Sequence, residues 1–293
     1  MLLVCIHFTN QVGIVKKILA YLFMLCGIIA MYFEGIMPDT VIIPLRLLGF
    51  VSMPFFAQAL VDGFFLTRNT YKYFFRVAFT TYLAQAMALL SFLLFDSPQP
   101  RRFNIGFTWL ITFVLLFGLE LLVSLPRDRI ASLNLLSPNQ TTNSTRFDVV
   151  MDSGAANHLP KGMKVPSWPR STLHGLAILL FATCMILITF LPLTMSLMSI
   201  MTVLIFYFLH RWKIDSRVFV VTIFYSAFAA CYTYLYFRMT GIISWEGVSL
   251  LGFLLCLLIP EKKRKKPEMV YRALYLVYPA AVFLCAFAAS LFD

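Results

Sequence analysis

The chain has 293 residues, 60% of them hydrophobic and 13% charged, with a mean hydropathy of +0.84; soluble globular domains run at about 45–50% apolar and about 25% charged, so an ordinary water-soluble fold is excluded. The formal net charge of +11 would suggest nucleic acid in a soluble protein, but the Lys and Arg here fall in short segments between apolar runs, where they set orientation and meet anionic headgroups. No basic, aromatic-interleaved soluble domain is present to bind nucleic acid.

A helix that crosses the hydrocarbon core needs about 20 mostly apolar residues. Nine runs meet or approach that length, over residues 14–36, 41–65, 73–95, 104–125, 173–191, 194–209, 217–237, 242–260 and 270–292. Strands are excluded, because an unclosed sheet in lipid leaves backbone groups unpaired. The expected fold is therefore all-α, a polytopic transmembrane helical bundle of about nine helices. The fifth and sixth runs are separated only by Leu191, Pro192 and Leu193; they form either two full spans or one re-entrant pair.

Orientation follows from the basic residues. With the N-terminus inside, 20 of the 24 Lys and Arg face the cytoplasm, leaving Arg46, Arg101, Arg102 and Arg238 outside. The positive-inside rule then predicts a multi-pass membrane protein, its N-terminus cytoplasmic and its C-terminus external. The basic stretch Lys262–Lys266 reads as an anchor on anionic headgroups of the bilayer. One segment breaks the short-loop pattern. Residues 126–172 are polar, rich in Ser, Asn, Thr and Pro, and read as a cytoplasmic insert within a single domain spanning 1–293, either disordered or partner-binding. The six Cys form no CxxC pair and read as small buried side chains, with no metal site implied.

Three stretches carry a family resemblance. Leu45 to Ala57 is similar to a helix of pattern LRxxGRxxFPxFA. Val61-Asp62-Gly63-Phe64, then Thr67-Arg68-Asn69, Lys72-Tyr73 and Arg76, resembles xEGFxxTRNxxxYxxR. Asn104 to Thr108 resembles NxxFT, and Tyr278-Pro279 resembles a terminal YPxH. Together they resemble the TraX family, membrane proteins named for a conjugative-plasmid protein that acetylates pilin. The resemblance implies a single TraX-like membrane domain and an acyltransferase-like activity that acetylates a protein or glycan acceptor. No cofactor is firmly implied; acetyl-CoA or another acyl-CoA would be the donor substrate. Family members carry an Asp-His pair in the first helix, where this chain has Gly27 and Ile28. The His of YPxH is Ala281 here, and the Arg of GRxxFP is Phe50. The resemblance thus implies a member degenerate at its catalytic positions, so that whether the chain is an enzyme stays open. The alternatives are a non-catalytic membrane partner or assembly subunit, and a small-solute permease.

Acyl transfer to an amine or hydroxyl needs a base, most often His oriented by a carboxylate. Ionisable residues inside spans are functional candidates, because isolated charge there is costly. The catalytic candidates on these grounds are Asp62, His174, His210 and Glu120, with Arg68 or Arg127 as expected charge partners and Asp215 a weak partner for His210. Candidates for lining a substrate cavity are Arg46, Ser52, Pro54, Gln58, Arg68, Asn69, Asn104, Thr108 and Tyr278. Asn69 is expected to cap the third helix, and Pro54 to remove a backbone bond from the second.

Overall fold

A computed structural model of the chain describes residues 12–67, 69–95, 104–124, 170–190, 196–212, 218–241, 244–259 and 270–292. Among the described residues there are nine α-helices: α1 (Val12–Tyr32), α2 (Asp39–Leu66), α3 (Thr70–Phe95), α4 (Ile105–Ser124), α5 (Arg170–Phe190), α6 (Ser196–Trp212), α7 (Val218–Thr240), α8 (Ser249–Leu258) and α9 (Val270–Ala289). No named strand occurs among them. The fold is an all-α bundle, and α2, α3, α4 and α7 contain stretches long and apolar enough to cross a membrane. The insert falls outside the described residues up to 169.

The boundaries follow local chemistry. Asn69 Oδ1 accepts from the backbone N–H of Lys72 at 2.9 Å, the expected cap of α3. Asn104 Oδ1 does the same for Gly106 at 2.8 Å, starting α4. Gly241, with φ +72°, follows α7 and donates its N–H to the Phe237 carbonyl at 2.8 Å, a turn conformation that a Cβ would strain. Several boundaries depart from the apolar runs, the first helix ending at Tyr32 rather than at 36 among them. The eighth run does not form one long helix: a 3₁₀ turn, Trp245–Val248, precedes the short α8. The sixth helix continues past Leu209 to Trp212, since helical hydrogen bonding does not stop where apolar side chains do.

α2 is the axis of the bundle, packing on α1, α6 and α8 and more lightly on α3 and α4. A second apolar cluster joins α1, α3 and α9 through Ile28, Ala88, Val282 and Ala286. α5 and α6 are separate antiparallel helices on α4: Ala177 of α5 lies with Leu121, and Cys184 reaches the Ile111 carbonyl at 3.5 Å. Glycines allow close approaches between the helices. A Cβ on Gly27 would stand 2.9 Å from the Gly49 Cα, so α1 and α2 cross backbone to backbone. Gly252 similarly brings α8 onto the Val51 carbonyl of α2, and Gly63 leaves the space filled by the Tyr73 ring. Small residues at crossings are how helices approach closely in lipid.

The ends of the helices alternate. Lys16 in α1, Gln58 and Asp62 in α2, Glu120 in α4, His210 and Arg211 in α6 and the Cys256 carbonyl of α8 all meet at one end of the bundle. Glu34, Arg46, Gln85 and Asn104 lie toward the other.

Candidate functional site

The polar end of the bundle takes side chains from four helices and a carbonyl from a fifth, α8. α2 offers Gln58, Asp62 and Phe65, spaced four and three residues apart and so on one face. α6 offers Tyr207, His210 and Arg211 at i, i+3 and i+4, again one face. α4 contributes Glu120 and α1 contributes Lys16.

Glu120 is wholly buried. Its Oε2 accepts from the Tyr207 hydroxyl at 2.7 Å, and its Oε1 lies 3.3 Å from Arg211 Nη1, an ion pair that is not aligned as a hydrogen bond. Arg211 is itself buried, its side chain only 7% exposed. A carboxylate taken out of water is costly unless paired and hydrogen-bonded, and here it has both kinds of partner.

Asp62 and His210 form the second pair. His210 Nδ1 stands 3.9 Å from Asp62 Oδ1, about 1 Å longer than a hydrogen bond. The Asp62 side chain is 8% exposed and that of His210 36%, so the carboxylate is sheltered while the imidazole reaches the surface of the bundle. Phe65 stacks nearly parallel on the imidazole, with centroids 4.5 Å apart, and on the Tyr207 ring at 5.5 Å.

Lys16 is buried near the same end, its Nζ donating to Gln58 Oε1 at 3.2 Å and to the Cys256 carbonyl at 2.9 Å. The residue four positions after Cys256 is Pro260, which has no N–H to offer that carbonyl. The ammonium therefore serves the C-terminal end of α8, where cations are also favoured by the helix dipole.

Three of the four catalytic candidates, Asp62, His210 and Glu120, thus come together, and Gln58 with them. The fourth, His174, is half-buried on α5, which packs on α4. The expected partners Arg68, Arg127 and Asp215 lie outside the described residues; the partners seen are His210 for Asp62 and Arg211 for Glu120. Sequence reasoning left out Tyr207, Arg211, Lys16 and Phe65. A signal for Tyr207 and Arg211 existed in their spacing with His210, but ending the apolar run at 209 put His210 at the helix terminus and Arg211 in a loop.

The remaining cavity candidates are dispersed. Ser52 Oγ donates to the Gly49 carbonyl at 2.7 Å, and Pro54 is buried against Gly252. Asn104 also ties α4 to α3, its Nδ2 donating to the Thr81 carbonyl at 3.1 Å and to Gln85 Oε1 at 3.2 Å. The Thr108 carbonyl accepts from the buried Thr112 hydroxyl at 2.6 Å. Arg46 pairs with Glu34 at 2.7 Å at the opposite end, both side chains well exposed. Tyr278 packs in the α1–α3–α9 cluster, which also holds Ile28 and Ala281. The positions where the family resemblance would place two histidines are therefore in one apolar cluster.

A partly exposed imidazole with a carboxylate near one nitrogen, as His210 has in Asp62, can take and return a proton. Among the described residues no group of three or more His, Cys, Asp or Glu is placed to hold a metal ion. No family model, no curated protein and no solved structure matches the chain.

Proposed function

We propose that the chain is a divergent TraX-like protein of a bacterial inner membrane, with its N-terminus in the cytoplasm and its C-terminus external, that handles acyl transfer at the cytoplasmic end of its bundle. The observation that carries this reading is the pairing of His210 on α6 with the sheltered Asp62 on α2. Asp62 also falls at the acidic position of the xEGFxxTRN pattern. The assignment of that end to the cytoplasm rests on the 20 basic residues that alternation places there.

In this scheme the donor is an acyl-CoA and the acceptor an amine or hydroxyl of a protein or glycan. His210 Nε2 takes the acceptor's proton as the acceptor attacks the thioester carbonyl. The carbon–sulfur bond then breaks, and the departing thiolate takes the proton back from the imidazolium. Asp62, 3.9 Å from Nδ1, stabilises the transient positive ring by its charge.

A second reading is supported by the α1–α3–α9 cluster. There Ile28 and Ala281 occupy the positions of the family's own histidines and offer no acid or base, which favours a non-catalytic membrane partner or assembly subunit. The two readings separate in one assay, in which chain purified into nanodiscs is given labelled acetyl-CoA and an amine-bearing peptide. Acyl transfer is expected, falling by about 10²–10⁴-fold in His210→Ala. Wild-type protein that neither transfers the label nor binds acetyl-CoA would establish the partner reading.

A further inference from the structure

We infer that Glu120 is a positioning residue for His210, acting through Tyr207, Arg211 and Phe65 to hold the last turn of α6 so that the imidazole faces Asp62. The inference rests on the acyl-transfer reading for its kinetic consequence alone; the geometry it describes stands apart from that reading.

The last turn of a helix is where order is hardest to keep, because its final carbonyls have no intrahelical partners and the end frays. His210 sits two residues before α6 ends at Trp212, and its side chain is 36% exposed. An exposed side chain at a fraying end samples several rotamers on a fast timescale. Two neighbours restrain this one. From α4, Glu120 accepts the Tyr207 hydroxyl at 2.7 Å and lies 3.3 Å from Arg211, so residues on both sides of His210 are tied to a single carboxylate. From α2, Phe65 lies 13° from the imidazole plane and 25° from the Tyr207 plane. Phe65 is in turn set edge-on against Phe64, and Phe64 against Phe113 of α4. The imidazole plane is therefore fixed by a stack whose far ring is anchored on Glu120.

Stability alone is a weak account of such an anchor. A buried ion pair roughly cancels its own desolvation cost, and an apolar replacement of similar volume is often as stable. What a buried pair can supply is register, and the register of α6 against α2 and α4 decides which nitrogen of His210 meets Asp62. With Nδ1 3.9 Å from the carboxylate, the negative charge favours the tautomer that carries its proton on Nδ1.

The test reads the tautomer of His210 directly. Chain labelled with ¹⁵N-histidine in nanodiscs carries four His, and His210→Asn identifies the signal. Wild type is expected to show the Nδ1–H form. Glu120→Gln keeps an acceptor for Tyr207 but removes the charge from Arg211, and is expected to show a mixture of both tautomers; Glu120→Asp should recover the Nδ1–H form in part. Tyr207→Phe, which removes a single oxygen, serves if Glu120→Gln does not fold, and is expected to mix the tautomers as well. In the acyl-transfer assay Glu120→Gln should lower kcat by about 10²-fold with KM for acetyl-CoA nearly unchanged, the pattern of a displaced catalytic group. A pure Nδ1–H signal in a folded Glu120→Gln or Tyr207→Phe chain overturns the positioning role. Mixed tautomers in those variants, with a wild type that transfers no acyl group, would uphold the positioning role and overturn the acyl-transfer reading.

Discussion

The α1–α3–α9 cluster and the α2–α4–α6 end are built on opposite plans. In the first, Ile28, Ala88, Ala281 and Val282 pack as an apolar group, and the adjoining α1–α2 crossing is so close that Gly27 and Gly49 touch backbone to backbone. In the second, Asp62, Glu120, Tyr207, His210 and Arg211 form ion pairs and hydrogen bonds among aromatic rings. The contrast teaches where a helical bundle can keep ionisable groups. Close helix crossings leave no volume for them and no partner. A helix end, where side chains of three helices converge near water, provides both.

The largest expected effect tests whether the crossing can be made to carry a charge. Gly27→Asp places a carboxylate where even a Cβ is 2.9 Å from the Gly49 Cα. Overpacking costs about 1–3 kcal/mol and a charge within the bilayer about 2.5–3.5 kcal/mol more. Monodisperse protein should be lost in detergent size-exclusion chromatography; a wild-type melting temperature would show that the helices separate freely there.

At the other region, Glu120→Ala leaves Arg211 buried without its carboxylate, at a cost of about 3–5 kcal/mol. The double change Glu120→Leu with Arg211→Leu should recover most of that, because no unpaired charge remains. Thermal melts of the two variants check this, and a double variant as unstable as the single one would mean that the ion pair itself supplies net stability.

Lys16→Met tests the link between α1 and α8. It removes the donor to Gln58 and to the Cys256 carbonyl, and hydrogen bonds to charged groups contribute about 1.5–3 kcal/mol. A melting temperature unchanged from wild type would show that another donor serves that carbonyl. Arg46→Ala should be the mildest. Its partner Glu34 is 63% exposed, and such surface pairs are worth about 0–1 kcal/mol; a larger drop in melting temperature would mean that the opposite end is drier than its exposure indicates.

Much of this is visible in the chain before any coordinates. The apolar runs locate the nine helices of the described residues, and Asn69 and Asn104 stand where caps are needed. The candidates Asp62, Glu120 and His210 are recognisable because an ionisable residue in an apolar run demands a partner. Their partners are not recognisable. His210 meets a carboxylate on α2, some 150 positions earlier in the chain, and no local spacing encodes that pairing. Tyr207 resembles any other aromatic in an apolar helix until Glu120 is seen against its hydroxyl. Lys16 reads as a topology signal, and becomes a helix cap only once α8 is seen to end beside it. Gly27 looks like a lost catalytic residue, whereas Gly49 across from it gives a packing reason for its lack of a side chain.

The sequence by itself determined that the chain is helical and membrane-borne, since a hydrocarbon solvent forces each backbone group to find its partner within its own segment, and apolar length is then enough to mark a helix. Only the tertiary structure decided which helices are neighbours and how each is rotated about its axis. Those choices depend on side-chain volume at the crossings: Gly27 against Gly49, Gly252 against Val51 and Gly63 around Tyr73. From that lateral order came the pairs Asp62–His210 and Glu120–Arg211.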